Sequence, residues 1–146
     1  MIETVNHPPH YTAHPSGVEC VDVAEQLVFN LGNCLKYAWR AGMKGDRRTD
    51  LLKALWYAER EGERRRLMRA EFEQRMEGVV RAGPNLVDQA MAITFIGWGS
   101  PVELLVRRVI ESDANGFVSR LLRAMVYGRD YDAVIAIVRE EVERAV

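Results

Sequence analysis

Apolar residues recur at spacings of three and four along most of the chain, which is the period of an amphipathic helix. Ala, Leu, Glu and Arg fill these segments, and runs of alternating β-branched residues typical of strands are missing from the sequence. The pattern therefore predicts an all-α protein. We expect a small helical bundle with an extended N-terminal arm and one long charged helix.

Capping residues and glycines set the limits of the first predicted helices. A first helix is expected over Val18–Asn30, and Gly32 is expected to break the chain or form a tight turn. A second helix should begin at the N-cap residue Asn33 and end at Gly42. A third pattern runs from Asp50 to about residue 78, and its mostly charged second half is expected to project into solvent or pack on a partner subunit.

Gly83 and Pro84 form the strongest internal break, because glycine ends helices and proline cannot continue one. Beyond it the sequence predicts four helices, at Asn85–Ile96, Pro101–Glu111, Asn115–Tyr127 and Tyr131–Ala145. Ser100 and Glu103 form a capping box with Pro101 at the first helical position. We expect an arm over residues 1–16, a helical core over 17–80 and a helical extension over 84–146 that packs into the same globule or into an oligomer.

Composition narrows the class of protein. A chain of 146 residues, 48% hydrophobic and 28% charged, is sufficient for one well-filled domain. The formal net charge of -1 argues against a protein whose whole surface is built for nucleic acid, so any anion site must be local, and sequence-specific nucleic acid binding is not expected. No apolar run is long enough to cross a membrane and no secretory signal is visible, which predicts a cytoplasmic protein. Cys20 and Cys34 are interpreted as buried thiols.

Polar and cationic residues share one face of the second predicted helix, where Asn33, Lys36, Tyr37 and Arg40 stand at offsets of three, four and seven. The third helix repeats the design with Asp50, Lys53, Tyr57 and Glu61, and the connecting loop carries Lys44, Arg47 and Arg48. An antiparallel hairpin would bring Lys36, Arg40, Lys44 and Lys53 together, a cluster that suits phosphate.

A plainer interpretation stands beside this one. Lysine and arginine on amphipathic helices usually form only the solvated face, and the triplet Arg64–Arg66 is interpreted in that way. Asp50 is an equally good N-cap for its helix. The aromatic residues of this region are first of all packing residues and only secondly stacking platforms: Tyr37, Trp39, Trp56 and Tyr57.

The segment VNHPPHYT, residues 5–12, concentrates versatile side chains ahead of any core element. It is either an arm stiffened by its prolines with exposed imidazoles, or a lid that brings His7, His10 and Tyr11 to an anionic or purine-like ligand on the hairpin. A metal site formed by His7, His10, His14 and Cys20 is a weaker alternative, because no recognised zinc spacing is present.

Four blocks, in order, resemble a family of small bacteriophage proteins known as SaV-like, a domain of unknown function whose members are often labelled nucleotide kinases. The blocks are VNHPPHYT, GVECVDVAEQL, LGNCLKYAWRAGMKG and DLLKALWYAERE, and they cover Val5 to about Glu61. The resemblance implies a phage-encoded protein of the infected host's cytoplasm that acts on deoxynucleoside monophosphates. It would transfer a phosphoryl group from a nucleotide triphosphate without a Walker-type loop.

On this hypothesis four residues are assigned to catalysis: His10, Lys36, Arg40 and Asp50. Eight are assigned to nucleotide contacts: His7, Tyr11, Asn33, Tyr37, Trp39, Lys44, Lys53 and Tyr57. No metal ligand is assigned, and magnesium dependence stays open. The alternatives are a non-catalytic sponge for a nucleotide or cyclic nucleotide that counters host defence, and a protein-interaction module. A homo-oligomer is expected in each case.

Overall fold

A computed structural model describes residues 3–76 and 99–146, and all regular structure within these ranges is helical. The all-α prediction is therefore confirmed. The helices are α1 (Glu3–Asn6), α2 (Pro9–Thr12), α3 (Cys20–Ala24), α4 (Phe29–Arg40), α5 (Arg47–Met76), α6 (Pro101–Ser112), α7 (Phe117–Leu122) and α8 (Tyr131–Arg144). The predicted break at Gly83 and Pro84 and the predicted helix Asn85–Ile96 lie outside the described residues.

The N-terminal arm is not extended throughout, because it contains two single helical turns. Pro9 stands at the first position of α2, where its fixed φ angle suits a helix and its missing N–H costs no hydrogen bond. The backbone N–H of Tyr11 donates to the carbonyl oxygen of Pro8 at 2.9 Å, and that of Ala13 donates to Pro9 at 3.0 Å. The paired prolines thus begin a helical turn that presents Tyr11 to α4.

The predicted boundary between the first two long helices is wrong. Helix α3 ends at Ala24, and α4 begins at Phe29 and runs through both Gly32 and Asn33. Gly32 serves close packing and does not break the helix, since a Cβ atom there would lie 2.7 Å from the carbonyl oxygen of Ala24. Asn33 is likewise not an N-cap; its side-chain amide donates to the carbonyl oxygen of Phe29 at 2.9 Å.

Helices α4 and α5 form the predicted antiparallel hairpin. Gly42 and Gly45 adopt positive φ angles of 87° and 74° in the connection. Asp46 caps α5, because its Oδ2 accepts the backbone N–H of Thr49 at 2.7 Å. The alternative role of Asp50 as the N-cap is therefore wrong: α5 begins at Arg47, and Asp50 faces the interior with 2% of its surface exposed.

The C-terminal helices complete the same core. Buried residues of both halves belong to one apolar cluster that includes Leu31, Leu35, Val106, Leu121, Met125, Val134 and Val138. Helix α6 begins as predicted, with the N–H of Glu103 donating to Ser100 Oγ at 3.2 Å. The predicted helix Asn115–Tyr127 begins instead at Phe117, after Gly116, and continues as a π-helical segment over Arg123–Gly128. Helix α8 is capped by Asp130, whose carboxylate accepts the N–H of Ala133 at 3.0 Å.

The middle of α5 is less exposed to solvent than its many charged residues predict. Glu61 is 1% exposed, and its carboxylate accepts bonds from Asn30 of α4 at 3.0 Å and from Arg65 Nε at 2.7 Å. The guanidinium of Arg65 lies 3.7 Å from the ring centroid of Tyr131 in α8. The prediction that residues 64–66 form a solvated face is thus wrong for Arg65, because α8 packs along this part of α5.

Hydrogen-bond donors around Glu61 keep its carboxyl group ionised. Burial alone would raise the pKa of this carboxyl, but hydrogen bonds from Arg64, Asn30 and Arg65 outweigh burial and lower its pKa. Glu61 is therefore a charged anchor between α4 and α5, and Arg65 connects it to Tyr131 of α8. From Leu67 onward the described side chains of α5 are mostly exposed.

Both thiols are buried, as predicted, and burial raises the pKa of Cys20 and of Cys34 to about 12. Within residues 3–76 and 99–146, none of the helices is both long and apolar enough to traverse a bilayer.

Candidate functional site

The ring of Tyr37 lies at the centre of a cluster of cations on the hairpin. The Nζ of Lys36 lies 4.6 Å from its centroid, the guanidinium carbon of Arg40 4.8 Å and the Nζ of Lys53 5.4 Å. The antiparallel pairing of α4 and α5 thus brings three of the four predicted cations to one ring. We refer to Tyr37, Lys36, Arg40, Asp50 and Lys53 as the Tyr37 cluster.

Arg40 is fixed by Asp50. Its Nη2 donates to Asp50 Oδ1 at 2.8 Å and its Nε donates to Oδ2 at 3.2 Å, the two-bond geometry that guanidinium and carboxylate groups favour. The hydrogen bond to Asp50 raises the pKa of Arg40 further above its ordinary value. The side chain of Asp50 is only 3% exposed, so this carboxylate is a structural counter-ion and is poorly placed to take a proton from a ligand.

The lysines retain charge that is accessible to a ligand. Lys53 keeps 47% of its side chain exposed, with Nζ 3.9 Å from Asp50 Oδ1, and Lys36 donates to Asn33 Oδ1 at 2.8 Å. Lys44 is exposed in the connecting loop. These are the only lysines in the sequence, and every other basic residue apart from histidine is arginine. Ammonium groups are compact point charges, whereas guanidinium groups are planar forks. The confinement of lysine to this hairpin therefore marks the cluster in the sequence, which helical spacing alone does not do.

Three further aromatic rings continue the cluster along the hairpin. Tyr57 stacks on Tyr37 with centroids 5.9 Å apart and planes at 14°. Phe29 and Trp56 approach Tyr57 edge-on at 6.1 Å and 4.9 Å. Since Tyr37 lies between cations and Tyr57, the accessible ring surface belongs to Phe29, which is 75% exposed, and Trp56, which is 54% exposed. Sequence reasoning missed Phe29, although it stands four residues before Asn33 and eight before Tyr37 on the same face of α4.

The arm reaches the cluster through Tyr11 and His10. Arg40 Nη1 donates to Tyr11 Oη at 3.4 Å, and the His10 ring lies 4.3 Å from the Tyr11 ring. Burial and the nearby charges of Lys44 and Arg40 lower the pKa of His10, with Asp50 opposing them. His10 is therefore a neutral imidazole at pH 7, able to accept a proton or a hydrogen bond.

Three other predicted or considered residues lie elsewhere. His7 pairs with Glu19, its Nδ1 standing 2.8 Å from Oε1, so it does not join Tyr11 on Arg40. Trp39 is 3% exposed in the core, its ring 4.8 Å from that of His14, so it offers no surface to a nucleotide. The His14 Nδ1 lies 2.8 Å from Ser16 Oγ.

The described part of the chain contains no group of three or more His, Cys, Asp or Glu side chains arranged to hold a metal ion. The histidines considered for a metal site with Cys20 are instead engaged with separate neighbours: Glu19 for His7, Tyr11 for His10 and Ser16 for His14.

Comparison with known proteins finds a family model that matches the part of the chain containing this cluster. Residues 5–59 match the model of DUF3310, a family described as a protein of unknown function. The DUF3310 match spans the arm, α3, α4 and the first part of α5, and so contains every residue of the Tyr37 cluster. No significant match to a curated protein or to a solved structure was found.

Proposed function

We propose that this protein binds deoxynucleoside monophosphates at the Tyr37 cluster. The observation that carries the proposal is the convergence of Lys36, Arg40 and Lys53 on Tyr37, where three cations stand against the single buried carboxylate of Asp50, which pairs closely with Arg40 and at 3.9 Å with Lys53. A phosphate monoester carries up to two negative charges and several strong acceptor oxygens at neutral pH, which suits the excess of ammonium groups.

The arm supports the same ligand class. Tyr11 is tied to Arg40, and this contact holds α2 against the hairpin next to Lys44. A neutral His10 can donate or accept one hydrogen bond at the edge of the phosphate site without opposing the charge of the lysines. The arm would therefore border the site on one side, and the α4–α5 hairpin would form its base.

Phosphoryl transfer is the second candidate function, and the position of His10 beside Tyr11, at the edge of the cation cluster, favours it. In a kinase of this kind an oxygen of the bound monophosphate attacks the γ-phosphorus of a nucleoside triphosphate, and the bond from that phosphorus to the β-phosphate oxygen breaks. His10 would accept the proton of a monoprotonated acceptor phosphate, and the lysines would stabilise charge on the transferred group. Asp50 has no part in this scheme because Arg40 and burial occupy it.

Isothermal titration of the purified protein tests the proposal. The ligands are dAMP, dCMP, dGMP and dTMP, with the four matching deoxynucleosides and inorganic phosphate as probes of the separate parts. We expect at least one monophosphate to bind and its nucleoside to bind far more weakly. Failure of all four monophosphates to bind would refute the proposed function.

A matched pair of variants locates the site. Lys53→Met removes one exposed charge from the cluster, whereas Arg75→Met removes an exposed charge near the other end of α5, about 33 Å along the helix. Lys53→Met should weaken monophosphate binding by about tenfold, and Arg75→Met should leave it unchanged. Incubation with ATP followed by chromatography separates the two candidates: diphosphate formation indicates a kinase, and unchanged ligands indicate a binder or sponge.

A further inference from the structure

The exposed face of the hairpin extends beyond the space that a mononucleotide phosphate needs. Phe29, Asn33, Tyr37 and Arg40 follow one side of α4, a stripe about 16 Å long at the helical rise. On α5 the stripe is accompanied by Lys53, Trp56 and Arg60. The surface therefore offers charge and ring surface at several successive positions.

Rings and cations are interleaved on this face. The guanidinium of Arg60 lies 5.3 Å from the ring centroid of Trp56, and Lys36 and Lys53 flank Tyr37. Phe29 and Trp56 are large apolar side chains held in the open, with more than half of their surface exposed. Exposed rings beside cations match a ligand that carries negative charge and planar rings at regular intervals.

We propose that the α4–α5 face also binds single-stranded nucleic acid without sequence preference. The phosphate backbone lies along Lys36, Lys53 and Arg60, and bases stack on the accessible faces of Trp56 and Phe29. Every base has a ring face, so such stacking carries no sequence information. This ligand goes beyond the proposed function, because it uses rings and a cation outside the Tyr37 cluster.

Charge complementarity selects this occupant over a second copy of the chain. Two copies meeting through this face would place Lys36, Lys53 and Arg60 of each near those of the other, and like charges brought together oppose association. A polyanion instead releases its counterions when these cations neutralise its phosphates, and this gain falls as salt rises.

Fluorescence anisotropy of a labelled oligothymidylate of about 12 nucleotides, a length within the usual range of site sizes, tests the inference. The full chain is titrated at several salt concentrations. We expect binding that weakens with salt, and a loss of about tenfold or more in the double variant Phe29→Ala/Trp56→Ala. Leu104→Ala on α6, a 54% exposed apolar residue outside the face, should bind as the wild type does. Circular dichroism confirms that both variants are folded.

Two results would overturn the inference: no oligonucleotide binding by the wild type at low salt, or equal binding by the double variant. A further outcome would also overturn it. If the wild type sediments as a dimer, the double variant sediments as a monomer and neither binds the oligonucleotide, then a second copy of the chain covers the face. The separate titration with monophosphates keeps the proposals apart. Oligonucleotide binding without monophosphate binding removes the proposed function alone, and the reverse result removes this inference alone.

Discussion

The guanidinium of Arg40 and the carboxylate of Asp50 form a buried ion pair that joins the end of α4 to the first turn of α5. Two hydrogen bonds, at 2.8 Å and 3.2 Å, connect them, and only 16% and 3% of their side chains are exposed. Arg40 also contacts Tyr11 of the arm and the ring of Tyr37. The pair therefore sets the position of the arm, the hairpin and the central ring at once.

Asp50→Asn should destabilise the fold by about 3 kcal/mol, because it leaves the partly buried cation of Arg40 without its counter-charge. Urea denaturation followed by circular dichroism measures this change as a lower midpoint. Lys53→Met is the control, since its exposed ammonium lies 3.9 Å from the carboxylate and contributes little to folding. An unchanged midpoint for Asp50→Asn would show that the pair does not stabilise the hairpin.

At two buried glycines, Gly32 and Gly62, we expect the same substitution to have different effects on stability. In Gly32→Ala the new Cβ would lie 2.7 Å from the backbone carbonyl oxygen of Ala24, which cannot move without displacing α3. We expect a loss of about 1–3 kcal/mol in the free energy of unfolding. In Gly62→Ala the nearest atom is the side-chain Cδ1 of Ile135 at 3.0 Å, which can turn away.

For Gly62→Ala the gain in helix propensity, at most about 1 kcal/mol, offsets the small repacking cost, so stability should change little. Thermal or urea unfolding of the two variants side by side makes the comparison. Equal effects of the two substitutions would contradict the close approach of α3 and α4 at Gly32.

The hairpin could be predicted from sequence because its determinants are local. The helical spacing of Lys36, Tyr37 and Arg40, and a short glycine-containing connection, are sufficient to bring α4 and α5 together with their polar faces aligned. The cap at Ser100 is local for the same reason: the N–H of Glu103 donates to Ser100 Oγ as predicted, whereas the Glu103 carboxylate accepts the N–H of Gly99.

The wrong predictions for Gly32 and Arg65 concern residues whose roles depend on contacts with other helices. Gly32 resembles a helix breaker in sequence, and only its contact with Ala24 shows that it is a packing residue. In the sequence Arg65 resembles a solvent-exposed residue, and only the packing of Tyr131 of α8 over it shows that it is buried. Local pattern does not contain this information, because each contact is made by a separate element of the chain.

Stability should fall as the solution is acidified below neutral pH. Burial lowers the pKa of His14 from its ordinary value of 6.5, and burial with the nearby Lys44 and Arg40 does the same for His10. Since the unfolded chain binds protons that the folded chain refuses, the free energy of unfolding is greatest above pH 6.5 and decreases as pH falls from there toward the lowered pKa values. Urea unfolding at several pH values between about 7.5 and 5.5 measures the slope.

The variant His14→Gln isolates one of these groups, because glutamine does not titrate. It should reduce the slope of stability against pH in this window, even if it lowers stability at every pH through the lost contact with Trp39. The exposed Arg75→Met serves as the control and should leave the slope as it is, because arginine does not titrate in this window. A wild-type slope in His14→Gln would show that His14 is not kept neutral by folding.

The confinement of lysine to the hairpin predicts that arginine cannot replace Lys53. A guanidinium at this position would reach the Asp50 carboxylate, now 3.9 Å from Nζ, and form the hydrogen bonds that guanidinium favours, in competition with Arg40. The guanidinium would then pair with Asp50 and would not be available to a ligand phosphate. Lys53→Arg should therefore weaken monophosphate binding several-fold despite the conserved charge, whereas Arg60→Lys should not. Calorimetric titration of both variants with the monophosphate that binds the wild type makes the measurement, and wild-type affinity in Lys53→Arg would mean that charge alone is required there.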